Sequence, residues 1–333
     1  MSRPAVLCGL LVGALALAGA GGRSAESDHA KLKVGVVLGP ATNTPYDRLT
    51  LAGLRKAMRQ LGVEAKVLAP GQKEGYLPTF LYLARRGYDL VIGGSALQDK
   101  AVDRAAVAFP KIRFAILDVP QEALPHRPKN AVGVTFAAEE ASYLAGYFAG
   151  RMEKRRPGKD VVSSVGGIKA PPVDAYVAGY QAGARRAARG ITTLNAYTLD
   201  FLDQADCKRA ALAQIAKGSG VVFPVAGVCG FGALQAAKEK GAWGIGVDSD
   251  QSSLGPHILT SAVKNVDVAV YDVIRRAQQG RLEGGRTIVF GLRAGGVGLG
   301  KISPKVPRAL VARVEQIRRL IAAGKIQVPT TLK

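Results

Sequence analysis

Short runs of aliphatic and β-branched residues alternate with amphipathic stretches along most of the chain. Residues 33–38 have the length and composition of a buried strand, and residues 46–61 carry apolar positions at helical spacing until Gly62. The alternation continues with predicted strands at 65–68, 90–92, 113–117 and 131–136 and predicted helices at 77–86, 97–108 and 139–152. Strands separated by helices of this length form right-handed βαβ units, so this part predicts a doubly wound parallel sheet.

A second series of the same kind follows. Its predicted strands are 160–165, 192–199, 220–225 and 244–247, and its predicted helices are 173–189, 206–217 and 232–240. Nothing like a linker separates the two series, so we expect two similar α/β lobes that share a cleft. The remaining elements must return to complete the sheets, and they are a strand at 258–262, a helix at 266–279, a strand at 287–292 and a helix at 305–324.

The chain is therefore expected to cross between the lobes more than once. We predict crossings near 136–139, 251–255 and 292–300. The resulting domains are a first lobe of 32–136 plus 254–290, a second lobe of 137–253 plus 291–305, and a C-terminal helix and tail at 306–333.

The predicted strand ends indicate where a ligand would bind. In open α/β sheets, ligands lie beyond the carboxyl ends of the strands, where helix N-termini offer free N–H groups. The predicted strands of the two series end in polar or small turns that begin at Gly39, Gly93, Asp118, Gly166, Asp200, Ala226 and Asp248. Glycine after a strand is ordinary turn chemistry, but so many such turns together favour a cleft. They make Gly94, Asp118, Gly227 and Asp248 candidate ligand-binding residues.

The first twenty residues are typical of an export signal. Arg3 precedes a Gly/Ala/Leu/Val run, and Ala18-Gly19-Ala20 supplies the small residues of a cleavage site. We predict a signal peptide at 1–20 and an exported protein, in the periplasm or at the outer face of the cytoplasmic membrane. An N-terminal membrane anchor is the alternative. Cys8 lies inside the apolar run rather than after it, so there is no clear lipobox, although tethering through lipid stays open.

The net charge of +21 raises the possibility of a nucleic-acid partner. However, the basic residues are dispersed along predicted helices, as at 55–59 and 308–319, and aromatic residues are not interleaved with them. This pattern is typical of solvated helix faces, with some attraction to an anionic membrane surface. We expect no nucleic-acid partner, and we expect a monomer.

No motif of a catalytic or metal site is present. The Gly-rich segments 227–232 and 295–300 do not match G-x-G-x-x-G, and neither a phosphate-binding loop with Lys nor a G-x-S-x-G elbow occurs. His29, His126 and His257 lie in an N-terminal tail and in loops, without a nucleophile beside them in sequence. The sequence therefore predicts a binding protein with no catalytic residues, no metal and no cofactor.

Several segments together resemble one known family. They are Phe114–Asp118 (FAILD), 134–136 (VTF) with 139–146 (EEASYLAG), 166–167 (GG) with 171–173 (PPV), 179–183 (GYQAG), 225–227 (VAG), 245–251 (IGVDSDQ) and 260–264 (TSAVK). From about Leu32 onward the chain resembles the basic membrane protein (BMP) family of nucleoside-binding ABC transporter receptors. The resemblance implies the type I periplasmic-binding-protein fold, a nucleoside ligand in the interlobe cleft, and an ABC permease as partner.

The resemblance also implies roles for particular residues. The stacking aromatic residues of the family fall on Tyr46, where Phe is usual, and on Phe201. The ribose-binding carboxylate matches Asp248, and the cleft lysine matches Lys264. These roles agree with physical expectation, because two rings can sandwich a planar base and a carboxylate can accept both ribose hydroxyl protons. Core packing, a helix cap or a solvated strand end is the structural alternative at each position.

One segment departs from the family pattern. Where family members usually show D-x-S-F-N, this chain has Asn43-Thr44-Pro45-Tyr46-Asp47. The base-contacting position is therefore Asn43, and Asp47 replaces an Asn. An amide donates as well as accepts hydrogen bonds, so the base preference, and even a nucleoside as the ligand, stays open.

These patterns favour an extracytoplasmic solute-binding receptor of an ABC importer, with a purine nucleoside as the expected ligand. The alternatives are a receptor for another small polar solute, such as a sugar, and an enzyme such as a nucleoside hydrolase. A cytoplasmic regulator with the same fold would need an N-terminal helix-turn-helix in the space that the leader occupies.

Two cysteines are expected to form a disulfide. Cys207 and Cys229 are the cysteines left after removal of the leader, and an exported protein matures in an oxidising compartment. Cys207 opens the helix before the predicted strand at 220–225, and Cys229 lies in the turn just after it. Both should therefore lie near the carboxyl edge of the sheet, where bridging distance is feasible. Two separate buried thiols are the alternative.

Overall fold

The computed structural model describes residues 31–39, 44–70 and 75–332. The predicted signal peptide at 1–20 and the candidate Asn43 lie outside these residues. Within them, no helix is long and apolar enough to cross a membrane.

The first sheet is parallel throughout. Its strands are β1 (Lys33–Val37), β2 (Glu64–Leu68), β3 (Leu90–Gly93), β4 (Arg113–Leu117), β5 (Ala131–Phe136) and β11 (Arg286–Phe290). They lie in the order β11-β5-β4-β3-β1-β2. Most residues of β1, β3, β4 and β5 are buried, because helices cover both faces of the sheet, as continuous aliphatic strands require.

The second sheet repeats this order. Its strands are β6 (Val161–Gly166), β7 (Thr192–Tyr197), β8 (Ser219–Val225), β9 (Trp243–Asp248), β10 (Ile258–Lys264) and β12 (Val297–Leu299). They lie in the order β12-β10-β9-β8-β6-β7, so β6–β10 take the places that β1–β5 take in the first sheet. The short edge strand β12 runs antiparallel to β10, and the sequence pattern did not predict it.

Helices fill the intervals between the strands. They are α1 (Pro45–Leu61), α2 (Tyr76–Arg85), α3 (Asp99–Ala108), α4 (Ala138–Glu153), α5 (Pro171–Ala187), α6 (Gln204–Ala216), α7 (Gly230–Glu239), α8 (Val266–Gln278) and α9 (Arg308–Ala322). The predicted fold class of two doubly wound α/β lobes is confirmed.

The lobes exchange one helix each. α4 follows the last strand of the first series but packs on α5 of the second lobe, while α8 follows β10 and packs on α1 of the first lobe. Glycine permits both contacts: a Cβ on Gly179 would lie 2.3 Å from the Glu139 carbonyl oxygen, and one on Gly53 would lie 2.5 Å from that of Asp267. The exchange therefore depends on close backbone approach at matching positions of α1 and α5.

The second crossing was predicted in the wrong place. We expected it at 251–255, with 254–290 in the first lobe, but β10 pairs with β9 in the second sheet. The chain crosses only after this strand, between Lys264 and Val266. The prediction assumed that a strand and the helix after it stay together, whereas here they belong to different lobes. The other crossings lie between β5 and α4 and between β11 and β12.

A disulfide joins Cys207 in α6 to Cys229 at the start of α7, as the sequence suggested. Their Cα atoms are 5.5 Å apart, and both residues are fully buried. The backbone N–H of Cys229 also donates to the Phe201 carbonyl oxygen at 2.8 Å. The bond therefore braces the loop that carries Phe201.

Candidate functional site

A buried ammonium group lies where the carboxyl ends of the two sheets meet. It belongs to Lys264, the last residue of β10. Its Nζ lies 3.0 Å and 3.2 Å from the two carboxylate oxygens of Asp118, directly after β4. It also lies 3.9 Å from Oδ1 of Asp248, at the end of β9. Since Asp118 belongs to the first lobe and Lys264 to the second, this ion pair spans the cleft.

Each carboxylate is also held by a tyrosine of its own lobe. The Tyr46 hydroxyl, in the first turn of α1, donates to Asp118 Oδ2 at 2.8 Å. The Tyr176 hydroxyl, in α5, donates to Asp248 Oδ1 at 3.1 Å. Both tyrosine rings and the ring of Phe136 lie with their centroids 5.3–5.6 Å from Lys264 Nζ. The ammonium is therefore surrounded by carboxylates and aromatic faces, which both favour a cation.

Both aspartates have an unusual backbone. Asp118 has φ 61° and Asp248 has φ 62°, and among the described residues other than glycine only Arg127 and Leu199 also have positive φ. Asp tolerates this left-handed conformation better than most residues, but it still carries a cost of about 1 kcal/mol or more. Such strain is concentrated at functional sites, so its recurrence at these two strand ends supports a binding role.

Burial and charge act against each other on the titratable groups. Burial alone would lower the pKa of Lys264, but the carboxylates of Asp118 and Asp248 outweigh it, so this pKa is raised. The pKa of Asp248 is also raised, because burial and the nearby Asp118 outweigh the ammonium and the Tyr176 hydroxyl. The raised pKa favours the charged form of Lys264 but the neutral form of Asp248. The two differ because the ammonium lies closer to Asp118 than to Asp248, so Asp248 is stabilised less by it. With both carboxylates ionised, the cluster carries one more negative than positive charge.

A third acidic group lies at the first crossing. Glu139, in the first turn of α4, is largely buried, and burial raises its pKa to about 7, with a smaller contribution from Glu140. The neighbouring Glu140 accepts the backbone N–H of Leu292 at 2.6 Å, which ties the first crossing to the third. Glu139 also lies close enough to influence the pKa of Tyr176.

The remaining candidates lie at the same sheet edges. Gly94 follows β3 and donates its N–H to the Val37 carbonyl oxygen at 2.9 Å. In the second lobe, Phe201 packs on Gly167, where a Cβ would lie 2.5 Å from the Phe201 ring. Gly227, with φ 56°, lies beside the same phenylalanine. In the described part of the chain, no hydrogen bond links Phe201 to the Lys264 cluster.

Asp47 has a structural role. Its carboxylate accepts the backbone N–H and the hydroxyl of Thr44 at 3.1 Å and 2.7 Å, and Thr44 caps α1 in return. This reciprocal capping box accounts for the burial of Asp47 at the helix N-terminus. The structure thus gives it a capping contact rather than a contact with the Lys264 cluster.

Sequence reasoning missed Phe136, Glu139 and Tyr176. Phe136 is the last residue of a predicted strand, and the candidates Asp118 and Asp248 lie just after predicted strands. Its position therefore could have marked it as a candidate. Tyr176 lies in the second turn of α5, too far from the preceding strand end for a rule based on strand ends. Among the described residues, no group of His, Cys, Asp and Glu side chains is arranged to hold a metal ion.

Comparisons with known proteins agree with this geometry. A family model described as Bmp, ABC transporter substrate-binding protein PnrA-like, matches residues 31–331. Basic membrane protein B of Borrelia garinii subsp. bavariensis is 34% identical over 289 residues, which are 84% of this chain and 83% of that protein.

Solved structures show the same fold. An ABC transporter solute-binding protein from Conexibacter woesei is 25% identical with a TM-score of 0.73, covering 91% of this chain and 100% of that one. Another, from Aeropyrum pernix, is 23% identical with a TM-score of 0.77, covering 91% and 94%. Since the family model spans nearly all described residues, the chain belongs to the Bmp family of ABC transporter substrate-binding proteins.

Proposed function

We propose that this substrate-binding protein is exported and binds a purine nucleoside between its two lobes. The observation that carries the proposal is the Lys264 ammonium held between Asp118 and Asp248. The ammonium is buried and the two carboxylates are 16% and 24% exposed, at the strand ends where ligands of open α/β sheets bind. The three groups come from both sheets.

The charge balance favours a neutral ligand with hydroxyl donors. One ammonium and two carboxylates leave the cluster negative, so a phosphorylated ligand would be repelled. Asp248 Oδ1 is engaged by Tyr176, while Oδ2 has no hydrogen-bond partner among the described residues. A ribose can donate two adjacent hydroxyl groups to such a carboxylate through charge-assisted hydrogen bonds.

Aromatic side chains on both lobes suit a planar base. Tyr46 lies in the first lobe and is fixed by its hydrogen bond to Asp118. Phe201 lies in the second lobe, on a loop fixed by the Cys229 N–H. Base–aromatic stacking contributes about 1–3 kcal/mol per base and tolerates different bases. The segment at 43–47 departs from the family pattern, so the preferred base is to be determined by experiment.

Binding between the lobes would also explain how a permease detects the loaded protein. A nucleoside that contacts Tyr46 and Asp248 together makes all its contacts only when the cleft is closed. The ligand therefore favours the closed state through differential contacts, and the permease would recognise that state.

Titration calorimetry against purine and pyrimidine nucleosides, nucleoside monophosphates and free sugars tests the proposal. We expect micromolar or tighter binding of a nucleoside and much weaker binding of its monophosphate. Asp248→Ala should weaken nucleoside binding by about 10- to 100-fold, as expected for lost hydrogen bonds to a charged group. Phe201→Ala should cost about 1–3 kcal/mol through lost stacking.

Glu239→Gln is the matched control, because it removes an exposed acid at the far end of α7 in the same lobe. Chromatography of the incubated nucleoside for free base checks for turnover. A parent protein that binds sugars but no nucleoside, or an Asp248→Ala variant that binds as tightly as the control, would contradict the proposal.

A further inference from the structure

A pocket of about 280 Å³ opens at the amino-terminal edge of the first sheet. It lies at the opposite end of the strands from the cleft. Its lining includes three cationic residues, Lys111, Arg113 and Lys129, and none of the described residues that line it is acidic. We call it the basic pocket. Its volume is just below the range of about 300–1,000 Å³ for drug-sized ligands, which suits a small anionic group.

The walls of the basic pocket are fixed by the fold. The side-chain amide of Asn130 donates to three carbonyl oxygens, those of Ala106 in α3 and of Phe109 and Ile112 in the segment after it, at 2.8–3.1 Å. On the other side, Gly284 approaches the turn before β5 so closely that a Cβ would lie 2.1 Å from the Lys129 carbonyl oxygen. A ligand would therefore meet a preformed site, with little ordering left to be done on binding.

Nearby acids do not neutralise the pocket. Glu283 pairs with Arg286. The carboxylate of Asp89 accepts the backbone N–H of Lys33 at 2.8 Å. In the described part of the chain, the three cationic residues of the basic pocket form no ion pair. Like charges held together in this way attract an anion.

The second lobe shows that the fold does not require these charges. Arg113 and Trp243 occupy matching positions, since each begins its strand five residues before the left-handed aspartate. At the second position Lys305 Nζ lies 5.7 Å from the centre of the indole ring, so one cation is covered by an aromatic face. The cluster of three cations is therefore particular to the first lobe.

We propose that the basic pocket binds a phosphate group, carried either by a small phosphorylated solute or by an anionic phospholipid headgroup. A guanidinium presents paired N–H donors that match phosphate oxygens, and the two lysines add point charges. This site is separate from the proposed nucleoside site, where the net charge is negative.

Calorimetry with inorganic phosphate and glycerol 3-phosphate, and co-sedimentation with phosphatidylglycerol or phosphatidylcholine vesicles, test the proposal at about 0.15 M salt. We expect the parent to bind a phosphate solute or the phosphatidylglycerol vesicles, and the set of probes bound identifies the source of the phosphate. Arg113→Gln and Lys129→Gln should each weaken that binding by about 10-fold or more. Arg104→Gln removes the same charge from an exposed position of α3 and should leave binding unchanged.

Lys129 lies on an exposed turn, so Lys129→Gln keeps the test valid if Arg113→Gln unfolds. Asp248→Ala should retain phosphate binding, which separates this site from the cleft. The proposal is overturned if the parent binds none of the four probes. It is also overturned if Arg104→Gln loses as much binding as the two pocket variants, since diffuse surface charge would then account for it.

Discussion

The two lobes share one frame but differ at one decisive position. In each sheet, an aspartate with a left-handed backbone lies at the carboxyl end of the strand that is third from one edge. Asp118 directly follows β4, and Asp248 is the last residue of β9. Leu117 pairs with Val134 in the first sheet, and Val247 pairs with Ala262 in the second. Counting on from these pairs makes Phe136 and Lys264 equivalent. One lobe supplies an aromatic ring where the other supplies the ammonium.

This difference explains how a symmetric frame makes an asymmetric site. Two carboxylates facing each other across a cleft would repel, and a lysine at both positions would cancel the negative charge. A single lysine bridges the lobes and leaves the site negative, while Phe136 covers the ammonium at 5.3 Å. The tyrosines also differ in position between the lobes. Each lobe supplies one tyrosine to its own aspartate, but Tyr46 lies in the first turn of α1 and Tyr176 in the second turn of α5, the matching helix.

Removing the ammonium that distinguishes the second lobe from the first should have the largest effect. Lys264→Met leaves two largely buried carboxylates without their cation and should lower the free energy of unfolding by about 3–5 kcal/mol at pH 7. Urea unfolding followed by circular dichroism measures this, with Lys301→Met, an exposed lysine of the same lobe, as control. The loss should shrink at lower pH as the carboxylates protonate. A loss no larger than that of the control would show that the ion pair is dispensable.

The lobes also differ in covalent bracing, since the disulfide belongs to the second lobe. Replacing Cys207 and Cys229 together by Ala should cost about 3 kcal/mol, the value for a loop of this length in the chain-entropy model. Guanidinium unfolding with and without reductant measures it, because reductant should destabilise the parent and leave the variant unchanged. Two alkylated cysteines in denatured, unreduced protein from the periplasm would refute the bond.

The smallest expected effect concerns the first crossing. Burial raises the pKa of Glu139 from its usual value of 4.5 to about 7 in the folded protein. Between these values the folded state binds more protons, so this group makes the protein less stable as pH rises from 4.5 to 7. Allowing for partial exposure, we expect about 1–2 kcal/mol over this range.

Urea unfolding of the parent and of Glu139→Gln at several pH values isolates this contribution. The free energy of unfolding of Glu139→Gln should rise relative to that of the parent as pH rises, because the variant lacks the buried charge. Parallel pH profiles would contradict it.

The sequence predicted the two lobes well because strand and helix periods are local properties. It placed Tyr46, Asp118, Asp248 and Lys264 at strand or helix ends, and the structure brings these four together. It failed on the crossing after Lys264, because local pattern does not reveal which sheet a strand joins. That depends on register with β9, a long-range contact. Tyr176 was missed because it lies inside α5, beyond the strand ends that the sequence pattern marks.

A crystal structure with a bound purine nucleoside tests the central claim most directly. The account predicts the base between the rings of Tyr46 and Phe201, and the ribose hydroxyls within hydrogen-bond distance of the free oxygen of Asp248. A nucleoside that contacts one lobe alone, or a ribose placed away from Asp248, would contradict it.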